Sequence, residues 1–157
     1  MPPPLLVDLS RVDTEQVIFT QQQVYEMLPH RHEFMLIDGV CHFDPEAKTM
    51  VAWRDIRPDD WWFRGHVPGR PLLPGVLMIE MAGHVSAVLA QLCGVKGFIG
   101  LGGVDACKFR ETVTAPSRLL LLATARDQRA RRIISGTQGV VAGRLVFEAD
   151  ITGMVIQ

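Results

Sequence analysis

The chain has 157 residues, 48% of them hydrophobic, and carries 16 Lys plus Arg against 17 Asp plus Glu, a formal net charge of −1. This length supports one well-buried core and excludes two full-size domains, and the apolar content excludes a chain that is mainly disordered. A near-neutral balance gives no global field for attracting nucleic acid or an anionic membrane, so an acidic partner must dock on a local basic patch.

The amino terminus, MPPPLLVDLSRVD, has neither a basic start nor an unbroken apolar stretch, and so does not read as a signal peptide. Cys41, Cys93 and Cys107 are widely spaced and form no Cys-x-x-Cys pair. That argues against a disulfide framework and for the cytoplasm. Pro2, Pro3 and Pro4 predict an extended arm over residues 1–19, followed by a single domain over 20–157.

Thr20 is a good N-cap for a short helix over Gln21–Leu28, which Pro29 stops. Phe34–Phe43 reads as a strand, Asp44-Pro45 as a turn and Lys48–Ile56 as a second strand. The prolines and glycines between Arg57 and Pro74 predict a structured loop without regular elements. Pro74 and Gly75 open a long helix that runs to Leu92, with Cys93-Gly94 as its stop. Val76–Leu92 is apolar nearly all round but carries Glu80, His84, Ser86 and Gln91, so it reads as a helix enclosed by sheet and not as a membrane span. Three strand-like runs follow: Phe98–Val113, Arg118–Asp127, and Ile133–Val155 with a break near Gly143. Arg126–Arg132 and Ala142-Gly143 are plausible hairpin turns. The order predicts an α+β fold, one curved antiparallel sheet around one helix.

Chemistry is suggested by the stretch from Phe63 to Glu80. A histidine, His66, lies in the Pro/Gly loop, and fourteen residues later Glu80 sits among Val76, Leu77, Met78, Ile79, Met81 and Ala82. A lone loop histidine is commonly structural, and a mid-helix glutamate can simply reach solvent. Taken together they suit an acid/base pair, because a partly desolvated Glu tends toward a raised pKa and can hold a proton, while His titrates near neutrality. Gly97–Gly103 follows a helix and lacks the last glycine of a dinucleotide loop; His30-x-His32 has no further ligand at metal spacing; and no Ser stands in a G-x-S-x-G context.

GHVPGRPLLPGVLMIE, from Gly65 to Glu80, resembles the signature of the FabZ-type 3-hydroxyacyl-[acyl-carrier-protein] dehydratases. Leu28-Pro29-His30-Arg31 with Phe34–Asp38 resembles that family's opening motif, and Gly103–Asp105 with Lys108–Arg110 its third-strand motif. The resemblance extends from about Gln21 to the carboxyl terminus. It implies a hot dog fold, a dimer whose sheets join edge to edge, and catalysis by His66 of one subunit with Glu80 of the other. His66 then takes the C2 proton, protonated Glu80 gives a proton to the departing hydroxyl, and the Gly75 amide at the helix start receives the enolate oxygen. Pro74 has no amide to give, and Gly75 has no side chain to obstruct the substrate. This scheme calls for no metal and no organic cofactor.

Three departures stand out. Val67 replaces the family's Phe, His32-Glu33 replaces Tyr-Pro, and His84, one turn after Glu80, replaces Gln. A charged His84 would hold Glu80 ionised and oppose its acid role; a neutral His84 would donate one hydrogen bond as an amide does. Having Glu80 instead of Asp implies, by resemblance, dehydration without isomerisation. Val67, Pro68, Pro74, His84, Met78 and Phe98 are candidate substrate contacts, with Trp61, Trp62, Phe63 and Ile79 as further candidates for an apolar acyl tunnel. Lys108, Arg110, Arg64 and Arg70 are candidates for docking an acidic acyl carrier protein, with Glu111 weakening the patch. A homodimer, or a hexamer of three dimers, fits the resemblance. An acyl thioesterase on the same fold, and a non-catalytic acyl- or carrier-binding subunit, are the alternatives.

Overall fold

A computed structural model describes residues 1–156. β1 (Phe19–Thr20) leads directly into α1 (Gln21–Met27), where Thr20 and Gln23 form a reciprocal capping box. α1 ends against the Arg31 guanidinium, whose Nη1 donates to the carbonyls of Tyr25, Leu28 and His30 at 2.7–2.9 Å. One arginine thus satisfies the open end of the helix and turns the chain sharply.

That turn explains a difference from the expected strand over Phe34–Phe43. His32–Phe34 instead form a single 3-10 turn with His32 at φ 56°, and β2 starts only at Gly39 and runs to Asp44. Gly39 is required there, because a Cβ would lie 2.4 Å from the Trp53 ring across the strand pair. β3 (Thr49–Ile56) follows the Asp44-Pro45 turn as expected.

The loop after β3 also departs from expectation, since it holds one helical turn, α2 (Phe63–His66). Arg54, almost fully buried, pairs with Asp60 and lies 5.2 Å from the Trp62 ring centroid, while the other Asp60 oxygen accepts from the Arg57 amide. The loop is therefore folded around a buried ion pair that prolines alone could not have indicated. α3 runs Gly75–Leu92 with Pro74 as its N-cap. It is long and apolar enough to cross a membrane by length and composition, yet it packs against the sheet, with Met81, Ala82, Val85 and Leu89 in the core.

β4 (Phe98–Phe109), β5 (Ser117–Gln128), β6 (Arg132–Val141) and β7 (Arg144–Ile156) complete the sheet. β4 stops short of the expected Val113, because the Val113 carbonyl accepts from the Leu73 amide and Thr114 bridges to Leu72. That contact fixes the approach to α3. All seven strands are antiparallel in the order β1-β2-β3-β5-β6-β7-β4, with α3 against the concave face. This is the hot dog fold, α+β, with one curved sheet wrapped round one long helix.

The sheet's other face carries a second apolar cluster of Cys41, Val51, Leu122, Val140 and Leu145. The amino-terminal segment covers it with Leu5, Leu6, Val7, Leu9 and Val12, pinned by the Gln138 side chain, which accepts from the Leu6 amide and donates to the Pro4 carbonyl. The segment carries a 3-10 turn at Leu9–Arg11 capped by Asp8 and a second turn closed by the Gln16 amide on the Asp13 carbonyl.

Candidate active site

His66 ends α2 and is exposed at the rim of an open cleft walled by Trp61, Trp62, Arg64, Pro74, Val76 and Leu77. The start of α3 forms one side of this cleft, and its first amides have no partner within the helix. Gly75 is the first helical residue and borders the Phe109 ring so closely that a Cβ would lie 2.9 Å from it. In the single chain a protein side chain, and not room for substrate, is what requires glycine at this position. Val67 is half-buried and Pro68 exposed just beyond His66, while Pro74 is buried.

Glu80 faces a different space. One turn and a half into α3, it opens on a partly enclosed pocket lined by His30, His84, Ala87, Ile99, Leu101 and Ile151, among others. His84 Nε2 lies 3.0 Å from Glu80 Oε1, as the i,i+4 spacing predicts, and His30 Nε2 lies 3.6 Å from the same oxygen. The His30 ring stacks on that of His84 with centroids 3.9 Å apart. Behind them the Tyr25 hydroxyl is 2.9 Å from His84 Nδ1 and accepts from the Ile37 amide at 2.8 Å. Tyr25 and His84 are both buried, whereas the Glu80 side chain is 31% exposed and so can reach a ligand.

The electrostatics correct one expectation. The hydrogen bond with His84 outweighs the burial that pushes the Glu80 carboxyl up and holds that carboxyl below its ordinary range. Burial and the neighbouring His84 hold His30 below the usual histidine value. His30, Glu80 and His84 bring ligand atoms within 4.8 Å of one another, a spacing a divalent cation could use. His84, however, is hydrogen-bonded through both ring nitrogens, to Tyr25 and to Glu80, so the trio is a hydrogen-bonded cluster and not a free donor set.

Other sequence candidates divide. Trp62, Phe63 and Met78 are core residues and Ile79 is a partly buried one packed against that core, while Trp61, exposed, walls the His66 cleft together with an edge of Trp62. Phe98 is exposed at the start of β4 and lies outside the Glu80 cavity, to which the strand presents Ile99 and Leu101 instead. Arg110 is held by Glu148 at 2.7 Å, while Glu111 pairs with Arg144. Among the described residues Lys108, Arg64 and Arg70 are exposed and make no ion pair. Sequence reasoning missed His30 and Tyr25 as members of the Glu80 cluster. His30 stood in a recognisable motif, but nothing local indicated where its ring would go.

Residues 28–150 match the FabA-like domain. The chain belongs to this family. Within it, the 3-hydroxyacyl-[acyl-carrier-protein] dehydratase FabZ of Listeria monocytogenes is 35% identical over 132 residues, 83% of this chain and 91% of that protein. The FabZ dehydratase of Enterococcus faecalis is 36% identical over 138 residues, 87% of this chain and 97% of that protein. The fold is shared more widely: a dehydratase heterocomplex from Xenorhabdus doucetiae superposes with a TM-score of 0.72 at 16% identity, covering 85% of this chain and 91% of that one. A thioesterase from Haemophilus influenzae superposes with a TM-score of 0.67 at 14% identity, covering 90% and 94%. The FabZ-type family is thus fixed by sequence, and the two structural neighbours speak to the fold alone.

Proposed function

We propose that this FabZ-type chain dehydrates 3-hydroxyacyl-[acyl-carrier-protein] thioesters to trans-2-enoyl thioesters in fatty acid synthesis, at sites built from His66 of one protomer and Glu80 of its partner. The observation that carries the split site is that the two residues line separate spaces of one chain, His66 the cleft at the start of α3 and Glu80 the cavity under β4. A second copy is needed to bring them together. β4 is the longer of the sheet's two edge strands, twelve residues against two for β1, with Phe98, Leu101 and Phe109 about half exposed. A long apolar edge of this kind is one that a monomer would have to protect, and pairing it with its own copy would cover it. A homodimer is the minimum assembly, and a hexamer of three dimers is compatible with it.

In this site His66 removes the C2 proton, and the electron pair moves onto the thioester oxygen, facing the Gly75 amide and the positive end of α3. As the enolate collapses to form the C2–C3 double bond, Glu80 gives its proton to the C3 hydroxyl, which leaves as water; because His84 holds this carboxyl low, the step runs from the minority of molecules in which Glu80 carries that proton. The imidazole gains the C2 proton as the carboxyl gives its own to the departing hydroxyl, so one turnover leaves an imidazolium and a carboxylate, and a proton must pass back before the next. No metal or organic cofactor enters this scheme. Lys108, Arg64 and Arg70 form the basic rim offered to an acidic carrier protein, and the reaction belongs in the cytoplasm.

Incubation with 3-hydroxybutyryl and saturated acyl thioesters tests the reading. Enoyl absorbance from the first substrate is expected; thiol release from the second without any enoyl product would replace the dehydratase by a thioesterase.

A further inference from the structure

We propose that Tyr25 and His84 are positioning residues for Glu80: the phenol fixes the neutral imidazole in the tautomer that donates from Nε2 to the carboxylate. The inference rests on the dehydratase reading for its kinetic consequence, though not for the tautomer itself. A tyrosine hydroxyl has one hydrogen to give, and the Ile37 amide already donates to its oxygen at 2.8 Å. The hydroxyl hydrogen is therefore free for His84 Nδ1, 2.9 Å away, which leaves Nδ1 as an acceptor and places the ring proton on Nε2, 3.0 Å from Glu80 Oε1. Every hydrogen in the chain from Ile37 through Tyr25 and His84 to Glu80 then has an acceptor.

The other arrangements leave a buried donor unpaired. A proton on Nδ1 would point at the tyrosine oxygen, and the hydroxyl hydrogen would have to turn away into a site where Tyr25 is 2% and His84 3% exposed. Protonation of His84 to an imidazolium meets the same obstacle. The relay gives Glu80 a hydrogen bond from a neutral ring and resists turning that bond into an ion pair, which would strip the carboxyl of the proton it must deliver.

The titratable and charged groups around His84 are few. Glu80 comes from its own helix, Tyr25 from α1 and His30 from the turn after α1; Arg31 acts on His30, and Arg54 and Asp38 act on Tyr25. β4, β6 and β7 line the cavity with Ile99, Gly100, Leu101, Ile133, Ser135, Ile151 and Gly153, none of which titrates.

The tests use the full-length protein. In 15N-histidine-labelled protein at neutral pH, His84 is expected as the neutral Nε2–H tautomer, a readout independent of turnover. An Nδ1–H ring or an imidazolium would overturn the proposal even in an active enzyme. Tyr25→Phe frees Nδ1 to take a proton, so the alkaline limb of the kcat profile should move to lower pH by about one unit, the size expected of a new charge beside a carboxyl. In a His84→Gln background the same Tyr25→Phe change should move the profile by nothing measurable, because an amide cannot take that proton. An equal shift in both backgrounds would show that Tyr25 acts only through its bond to Ile37, and would refute the relay. If no dehydratase activity is found, the His84 tautomer seen by NMR still decides the matter.

Discussion

A site divided between protomers makes a quantitative prediction about mixtures of inactive variants. His66 and Glu80 open on separate spaces of one chain, so each dimer would hold two sites, each taking one residue from either protomer. His66→Ala alone damages both sites of its homodimer, and Glu80→Ala does the same; each should lose about 10²–10⁴ of the rate, the usual contribution of a placed acid or base. Combined in one dimer, the two variants leave one site lacking both residues and one site intact. Random reassociation of equal amounts makes half the dimers mixed, so about a quarter of the wild-type activity should return. A purified mixed dimer carrying two different affinity tags should give about half. Enoyl absorbance from a 3-hydroxyacyl thioester follows the recovery, and thermal melting of each parent shows that the variants are folded. Two residues that met within one chain would never be restored by mixing, so activity no higher than that of the parents, in dimers shown to be mixed, would refute the split site.

Two further outcomes follow from local geometry. Gly75→Ala places a methyl group 2.9 Å from the Phe109 ring, too close without movement of the ring or the helix start; it should cost about 1–3 kcal/mol in a melt and lower kcat by at least about tenfold, and Phe109→Leu in the same chain should recover the melting temperature. Burial and His84 hold His30 below its ordinary value of 6.5, so as pH falls through 6.5 the unfolded chain takes a proton that the folded chain refuses, and stability falls until the folded value is reached. Melting temperatures of His30→Gln should lose that decline. Glu80, also lowered, acts in a separate window: its contribution is present above 4.5 and lost as pH falls through its folded value.

Elements with a strong local signal were legible in the sequence. Thr20 as a cap, Pro74-Gly75 as a helix start, Cys93-Gly94 as a stop and the Ala142-Gly143 turn all lie where the backbone changes direction. What could not be read locally was set by partners far along the chain. Phe34–Asp38 has strand composition but is drawn into a turn because Arg31 reaches back to three carbonyls and the Asp38 carboxylate takes the Asp55 amide. The Pro/Gly loop holds a helical turn because Arg54, on β3, is buried against Asp60 and Trp62. Apolarity alone could not sort the tunnel candidates, since Trp62, Phe63 and Met78, all in the core, have the same composition whether or not a residue also faces a ligand.

The same distinction decides how far the site itself could be read. Spacing alone placed His84 beside Glu80, and the contact is there at 3.0 Å. Spacing could not say whether that histidine supports or opposes a general acid, because the answer depends on which ring nitrogen carries the proton. That choice is made by Tyr25, 59 residues earlier, and behind it by the backbone amide of Ile37, a group that no side-chain pattern records. Replacing the family's glutamine by histidine changes the donor without changing the bond only if a third group keeps the ring neutral. A lone histidine at this position would be a liability for proton delivery, and a histidine backed by a phenol that already holds its hydrogen for Nδ1 is an amide's equivalent.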